Sequence, residues 1–204
     1  MLKGLTAEYL LFRTYRVRKG DTILIHAAAG GVGLILCQWG RALGATVIGT
    51  VGSAEKAALA KKHGAHHTIL YRQENFAEKV KEITKGALCP VVYDGVGKDT
   101  FAQSLDCLSP FGTFVNFGAA SGAIAQFDIG ILGKKGSLYA TRPTLFTHIA
   151  DRTRLESMAR RLFSAVRRGD VTIPVTARYP LGEAVAAHRA LEGRATTGSV
   201  IFTP

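Results

Sequence analysis

Along residues 21–142, short β-branched runs alternate with longer stretches whose apolar positions recur every three or four residues. Thr22–His26 reads as a strand and Gly31–Leu43 as a helix closed by Gly44. A second strand follows over Thr46–Thr50, and Ser53 then caps a helix that runs through Lys62 and ends at Gly64. His67–Leu70 is the third strand. The helix predicted over Asn75–Thr84 puts Phe76, Val80 and Ile83 on one face. Val91–Tyr93, Gly112–Phe117 and Ser137–Thr141 complete six strands, with helices expected over Asp99–Leu108 and Asp128–Gly133.

Near-continuous apolar strands separated by short helices specify βαβ units and a parallel sheet covered on both faces. Right-handed crossovers then give an α/β, doubly wound, six-stranded sheet of the Rossmann type over 21–142, with residues 1–20 as a lead-in helix. After Pro143 the alternation stops. Arg152–Arg168 reads as one long helix, Ile173–Arg178 as extended, Gly182–Leu191 as a helix and Ser199–Phe202 as a last strand. A tail of this size, 143–204, cannot build a core of its own.

The strongest chemical signal is Ala28-Ala29-Gly30-Gly31-Val32-Gly33, placed between the first strand and the first helix. It is a G-x-G-x-x-G fingerprint with Ala28 at the first glycine. Gly30 lets the backbone approach a pyrophosphate, and Gly33 permits close packing of helix on strand. The helix N-terminus offers unpaired N–H groups to an anion. Glycines in such a run also serve plain tight turns; their position in the βαβ series is what favours a dinucleotide.

Folds that prefer NAD place an acid at the tip of the second strand to bind the ribose 2′-hydroxyl. Here the tip reads Thr50-Val-Gly-Ser-Ala-Glu55-Lys56, with Glu55 inside the first helical turn. Ser53 and Lys56 suit a 2′-phosphate instead, and Tyr71 with Arg72 could close the same pocket. The missing acid also argues against a methyltransferase. No nucleophile elbow surrounds Ser121. His26 reads as a satisfied core histidine, and His63, His66 and His67 as a solvated cluster.

Composition refines this picture modestly. Hydrophobic residues make up 47% of the 204, which excludes a disordered chain, and no apolar stretch is long enough for a membrane span. The N-terminus lacks a secretory pattern. Three widely spaced cysteines, Cys37, Cys89 and Cys107, fit reduced buried thiols in a cytoplasmic protein and not a structural zinc site. The net charge of +11 is concentrated at the two ends. Nucleic-acid binding is the competing reading of those basic ends, through Arg160, Arg161, Arg167 and Arg168.

Taken together, the stretches Leu2-Lys-Gly-Leu-Thr6 with Tyr9, His26–Gly33, Cys37-Gln-Trp39, Gly49-Thr-Val-Gly52, Val92-Tyr-Asp94, Gly136-Ser-Leu-Tyr139, Thr141-Arg-Pro143 and Thr197-Gly-Ser199 resemble the zinc-independent quinone oxidoreductases of the medium-chain dehydrogenase/reductase superfamily. The resemblance implies NADPH as cofactor, hydride transfer to a quinone and a homodimer formed through the sixth strand, Ser137–Thr141. It also implies that the chain is the C-terminal portion of such an enzyme, whose tail folds back on a GroES-like catalytic domain. The portion alone is then expected to bind cofactor without turning over. Carried over by position, Gly31 and Val32 would meet the pyrophosphate, and Gly52, Ser53, Lys56 and Tyr71 the 2′-phosphate. Val96, Phe117, Gly118, Ala119 and Ala120 would follow the adenosine and nicotinamide ribose, with Tyr9, Pro143 to Leu145 and Arg194 at the periphery. Gly95 and Ala119 depart from the family's polar residues and remove two hydrogen bonds.

Overall fold

A computed structural model describes residues 1–193 and 195–204; Arg194 lies outside the described residues. Its central sheet is wholly parallel, in the order β3-β2-β1-β4-β5-β6. The strands are β1 (Thr22–Ile25), β2 (Thr46–Val51), β3 (His67–Leu70), β4 (Cys89–Asp94), β5 (Leu108–Asn116) and β6 (Tyr139–Thr141). This is the doubly wound order, and the reversal between β1 and β4 opens a crevice at their carboxyl ends.

The apolar run of β1 is less uniform than it looks. Ile23 and Ile25 join a core on one face with Trp39 and Cys37 of α2 (Gly31–Ala42), while Leu24 joins Ile48, Ile69, Phe76 and Val80 on the other. Strand alternation therefore feeds two cores, each covered by helices. On the second face lie α4 (Phe76–Ile83) and α5 (Phe101–Asp106). Helix ends follow local chemistry. Ser53 accepts from the Lys56 amide at the start of α3 (Ala54–Lys62), and Asn75 accepts from Ala77 and Glu78 at the start of α4. Gly44 and Gly64 end their helices with φ of +83° and +101°.

The sixth strand is shorter than predicted. Gly136 and Ser137 both have positive φ, +115° and +55°, so the backbone is turning where an extended run was expected. Likewise α6 is Gly130–Lys134, because the Asp128 carboxylate is spent accepting the Gly130 amide at 2.8 Å.

The core does not divide at residue 142. The lead-in helix α1 (Leu2–Tyr9) packs against α2 and against two helices of the tail, α7 (Leu145–Ile149) and α8 (Arg152–Arg167). Met158, Leu162 and Ala165 of α8 are buried in the first core. Buried Glu8 ties this corner together, accepting from Arg13 at 3.0 Å and from Arg161 at 2.5 Å. Arg161 also lies 4.7 Å over the ring of Phe12, so part of the predicted basic face of α8 is committed to packing.

Beyond α8, β7 (Val175–Pro180) and β8 (Ser199–Thr203) pair in parallel, with α9 (Ala184–Glu192) as the crossover. The tail strands thus find partners in each other.

Candidate functional site: the cleft at the strand-order reversal

A cavity of about 610 Å³ lies at the carboxyl ends of β1 to β4. One wall is the fingerprint turn, with Ala27, Ala29, Gly30 and Gly31. A second is the tip of β2, with Val51, Gly52, Ser53 and Lys56; Tyr71, Arg72, Val96 and Ala120 continue the rim. The third wall was not foreseen. It comes from the tail, through Ala187, His188, Leu191, Gly193, Thr196, Thr197, Gly198, Val200 and Phe202.

The glycines of the turn are needed for different reasons. A Cβ on Gly33 would sit 2.3 Å from the Ala27 carbonyl oxygen, so this residue allows the turn to close on the helix. A Cβ on Gly31 would meet the Gly198 carbonyl oxygen at 2.6 Å and the Lys3 stem at 2.6 Å. Gly31 is therefore small to admit the tail. The Gly198 amide donates to the Ala29 carbonyl at 3.2 Å, and Lys3 Nζ donates to the Gly198 carbonyl at 3.2 Å. Partial burial lowers the Lys3 pKa.

At the β2 tip, the Cβ position of Gly52 is 3.3 Å from the Tyr71 hydroxyl and 3.5 Å from Arg72 Nε. Lys3, Lys56 and Arg72 are the cations of the cleft, and among the described residues no carboxylate lines it. Glu55 is exposed and is not itself a lining residue, but a hydrogen bond with Ser53, which is one, lowers its pKa.

Of the residues expected from the sequence, Gly30, Gly31, Gly52, Ser53, Lys56, Tyr71, Val96 and Ala120 are brought together in this cleft. Val32 and Gly33 belong to the helix behind the turn. Phe117 and Gly118 do not line it. They pack on Gly95, whose Cβ position is 3.1 Å from the Phe117 ring, so the departure at Gly95 makes room for that ring. Ala119 instead borders a smaller cavity of about 350 Å³ with Phe101, Phe127 and Arg142. Pro143 lines neither cavity. Tyr9 is a core residue, 2% exposed and stacked on His148 at 4.5 Å; burial raises its pKa to about 12. Lys3, His188 and Thr197–Gly198 were missed. Lys3 and Thr197–Gly198 stood in the sequence only within stretches that carry the resemblance; Gly198 occupies φ +53° and abuts Thr176.

His26, 1% exposed, stands where β1 enters the turn. Its burial lowers its pKa from the ordinary 6.5, with Asp94 pulling weakly the other way. The unfolded chain recovers the ordinary proton affinity. The stabilisation is therefore full above about pH 6.5 and is lost as pH falls through the lower folded value. Thermal unfolding between pH 7 and 5 should fall more steeply for the parent chain than for His26→Gln. Parallel slopes would show that His26 does not contribute.

A glycine turn opening on a helix N-terminus at the strand-order reversal defines a dinucleotide-binding domain of the Rossmann type. The chain belongs to the zinc-binding dehydrogenase family, whose model matches residues 31–151. It is 55% identical over 204 residues to a quinone oxidoreductase of Pseudomonas aeruginosa, covering 100% of this chain and 63% of that protein. A 2-haloacrylate reductase of Burkholderia sp. is 49% identical over 205 residues, with 100% and 62% covered. The crystal structure of Escherichia coli quinone oxidoreductase complexed with NADPH superposes with a TM-score of 0.97 at 50% identity, over 100% of this chain and 63% of that one. The chain thus spans under two thirds of the length of these relatives, and the resemblance to quinone oxidoreductases holds along all of it.

The family's name carries zinc, and the donor set of the described residues does not fit that ion. Among the described residues no group of three His, Cys, Asp or Glu side chains could hold a metal. The three cysteines are free and buried, and burial pushes the thiols of Cys37 and Cys89 up to about 12. A thiol so hard to ionise is a poor metal ligand.

Proposed function

We propose that this chain is the NADPH-binding part of a zinc-independent oxidoreductase that transfers hydride to quinones. The observation that carries this reading is the β2 tip, where Ser53, Lys56, Tyr71 and Arg72 converge and, among the described residues, no acid lines the cleft. A 2′-phosphate is matched by two cations, one of them a planar fork. The α2 N-terminus, capped only by the backbone of Gly30, presents its first amides to the diphosphate. When bound, the dihydronicotinamide supplies the hydride; the protein's part is to hold it in place and exclude water. The free thiols agree with a cytoplasmic setting, and among the described residues no helix is long and apolar enough to cross a membrane. The 2-haloacrylate reductase relative adds an activated alkene as the alternative acceptor to be assayed beside a quinone.

Calorimetric titration with NADPH tests the binding half of this reading, and absence of binding would overturn it. With saturating NADPH, turnover of benzoquinone or 2-haloacrylate by these 204 residues is expected to be negligible, because Phe117, Gly118 and Pro143 lie outside the cleft. Turnover of about 1–1000 per second would overturn that expectation.

The homodimer belongs to the same proposal. Among the described residues β6 pairs only with β5, and all three of its residues are exposed, Tyr139 at 61%. An unpaired edge of this kind accepts a symmetry mate. Tyr139→Pro removes one backbone donor and should shift the mass measured by light scattering toward the monomer. An unchanged dimer mass would place the interface elsewhere.

A further inference from the structure

The hydrogen bonds around His26 fix the state of its ring. Nε2 lies 2.9 Å from Ser104 Oγ, and Nδ1 lies 2.8 Å from Thr50 Oγ1. The single hydroxyl hydrogen of Ser104 is already donated to the Thr100 carbonyl at 2.7 Å. Ser104 Oγ can therefore only accept from the imidazole, which puts the proton on Nε2. Nδ1 is then bare and accepts from the Thr50 hydroxyl. One tautomer satisfies every partner.

The chain of bonds continues past Ser104. Thr100 Oγ1 donates to Asp94 Oδ2 at 2.7 Å, and Asp94 Oδ1 accepts from the amides of Val96 and Gly97 at 2.6 and 3.0 Å. Asp94, Thr50 and Ser104 are all buried, and Phe76 closes the ring's remaining side edge-on at 4.9 Å. The network thus joins three loops of the cleft. The fingerprint turn begins at His26 itself and bends at once, through Ala27 with φ +52°. Three residues beyond Thr50 comes Ser53, and Val96 lines the cleft from the β4 side.

We propose that His26, held as its Nε2–H tautomer, is a positioning residue that sets the spacing of these three loops around the adenosine diphosphate half of the cofactor, without touching it. The inference rests on the dinucleotide reading of the cleft and adds to it a residue behind the binding surface. A group held this way acts on both dinucleotides, because the fingerprint turn and the β4 loop serve the part that the two share.

The test uses the full chain, unaltered and as Thr50→Val, Thr50→Ser and Ser104→Ala, at a temperature where melting curves show each fully folded. Nuclear magnetic resonance of ring-labelled histidine should show His26 as the Nε2–H form in the unaltered chain and as a mixture in Thr50→Val. NADPH and NADH should both bind Thr50→Val about 3- to 10-fold more weakly, with Thr50→Ser restoring most of the loss. A purely structural role would lower melting temperature and leave the affinity of the folded protein unchanged. Unchanged affinity in Thr50→Val, or an Nδ1–H ring, overturns the inference alone. Failure of the unaltered chain to bind either dinucleotide overturns the reading of the cleft, and the inference with it.

Discussion

Replacing Lys56 by Ala is expected to weaken NADPH by about 1–3 kcal/mol, the scale of a charge-assisted contact, and to leave NADH almost untouched. The two cofactors differ only at the ribose 2′ position, which the fold directs to the tip of β2. There Lys56 lines the cleft together with Ser53, Tyr71 and Arg72. Removing one cation costs the ligand that carries the extra phosphate. A plain 2′-hydroxyl loses little, since among the described residues no carboxylate lines the cleft to receive it. Arg72→Lys should repeat the pattern more weakly, because the guanidinium fork is lost while the charge stays. Isothermal calorimetry of both cofactors against each variant decides the matter; equal losses for NADPH and NADH would end the assignment of this corner to the 2′-phosphate.

That corner was legible in the sequence because its parts are local. The turn follows its strand directly, and Ser53 and Lys56 stand within five residues of the β2 tip; Tyr71 and Arg72 occupy the same place after β3. Strand and helix periodicity put each of these at a carboxyl edge, and parallel order does the rest. The glycines were legible in kind and only partly in role. Gly31 reads as a phosphate contact, yet its missing side chain makes room for Gly198, 167 positions later in the chain. No periodicity reports a backbone-to-backbone contact across that distance. The same holds for the tail wall as a whole, in which α9 and β8 present mostly small or apolar residues whose pattern says only that one face is covered. Tyr9 misled in the opposite sense. The family resemblance carries Tyr9 to the periphery of the cofactor, but here the ring stacks on His148 within the α1–α7 corner. The length of β6 was misjudged because Ser137, an ordinary residue in sequence, takes a left-handed conformation that only the turn at Gly136 explains.

The largest effect on stability should follow the smallest change, Gly33→Ala. The new methyl would lie 2.3 Å from the Ala27 carbonyl oxygen and 2.7 Å from that of Ala28, both backbone atoms that cannot swing aside. Ala27 is already held at φ +52°, and the turn it begins is anchored through the buried ring of His26. Relief must therefore come from lifting α2 off β1, which would open the core around Trp39, Leu36 and Ile25. Overpacking of well-filled interiors costs about 1–3 kcal/mol, and a clash with two rigid carbonyls belongs at or above the top of that range. For a domain of this size, 3 kcal/mol corresponds to a melting temperature lower by roughly 6–12 °C. Gly133→Ala makes the opposite change in an open place. No atom lies within 4 Å of its Cβ position, and the residue sits inside α6. It should gain up to about 1 kcal/mol from the reduced freedom of the unfolded chain. Thermal unfolding followed by circular dichroism compares the two directly. A Gly33→Ala protein that melts with the parent would mean that the turn can move freely, and with it the geometry on which the cleft depends.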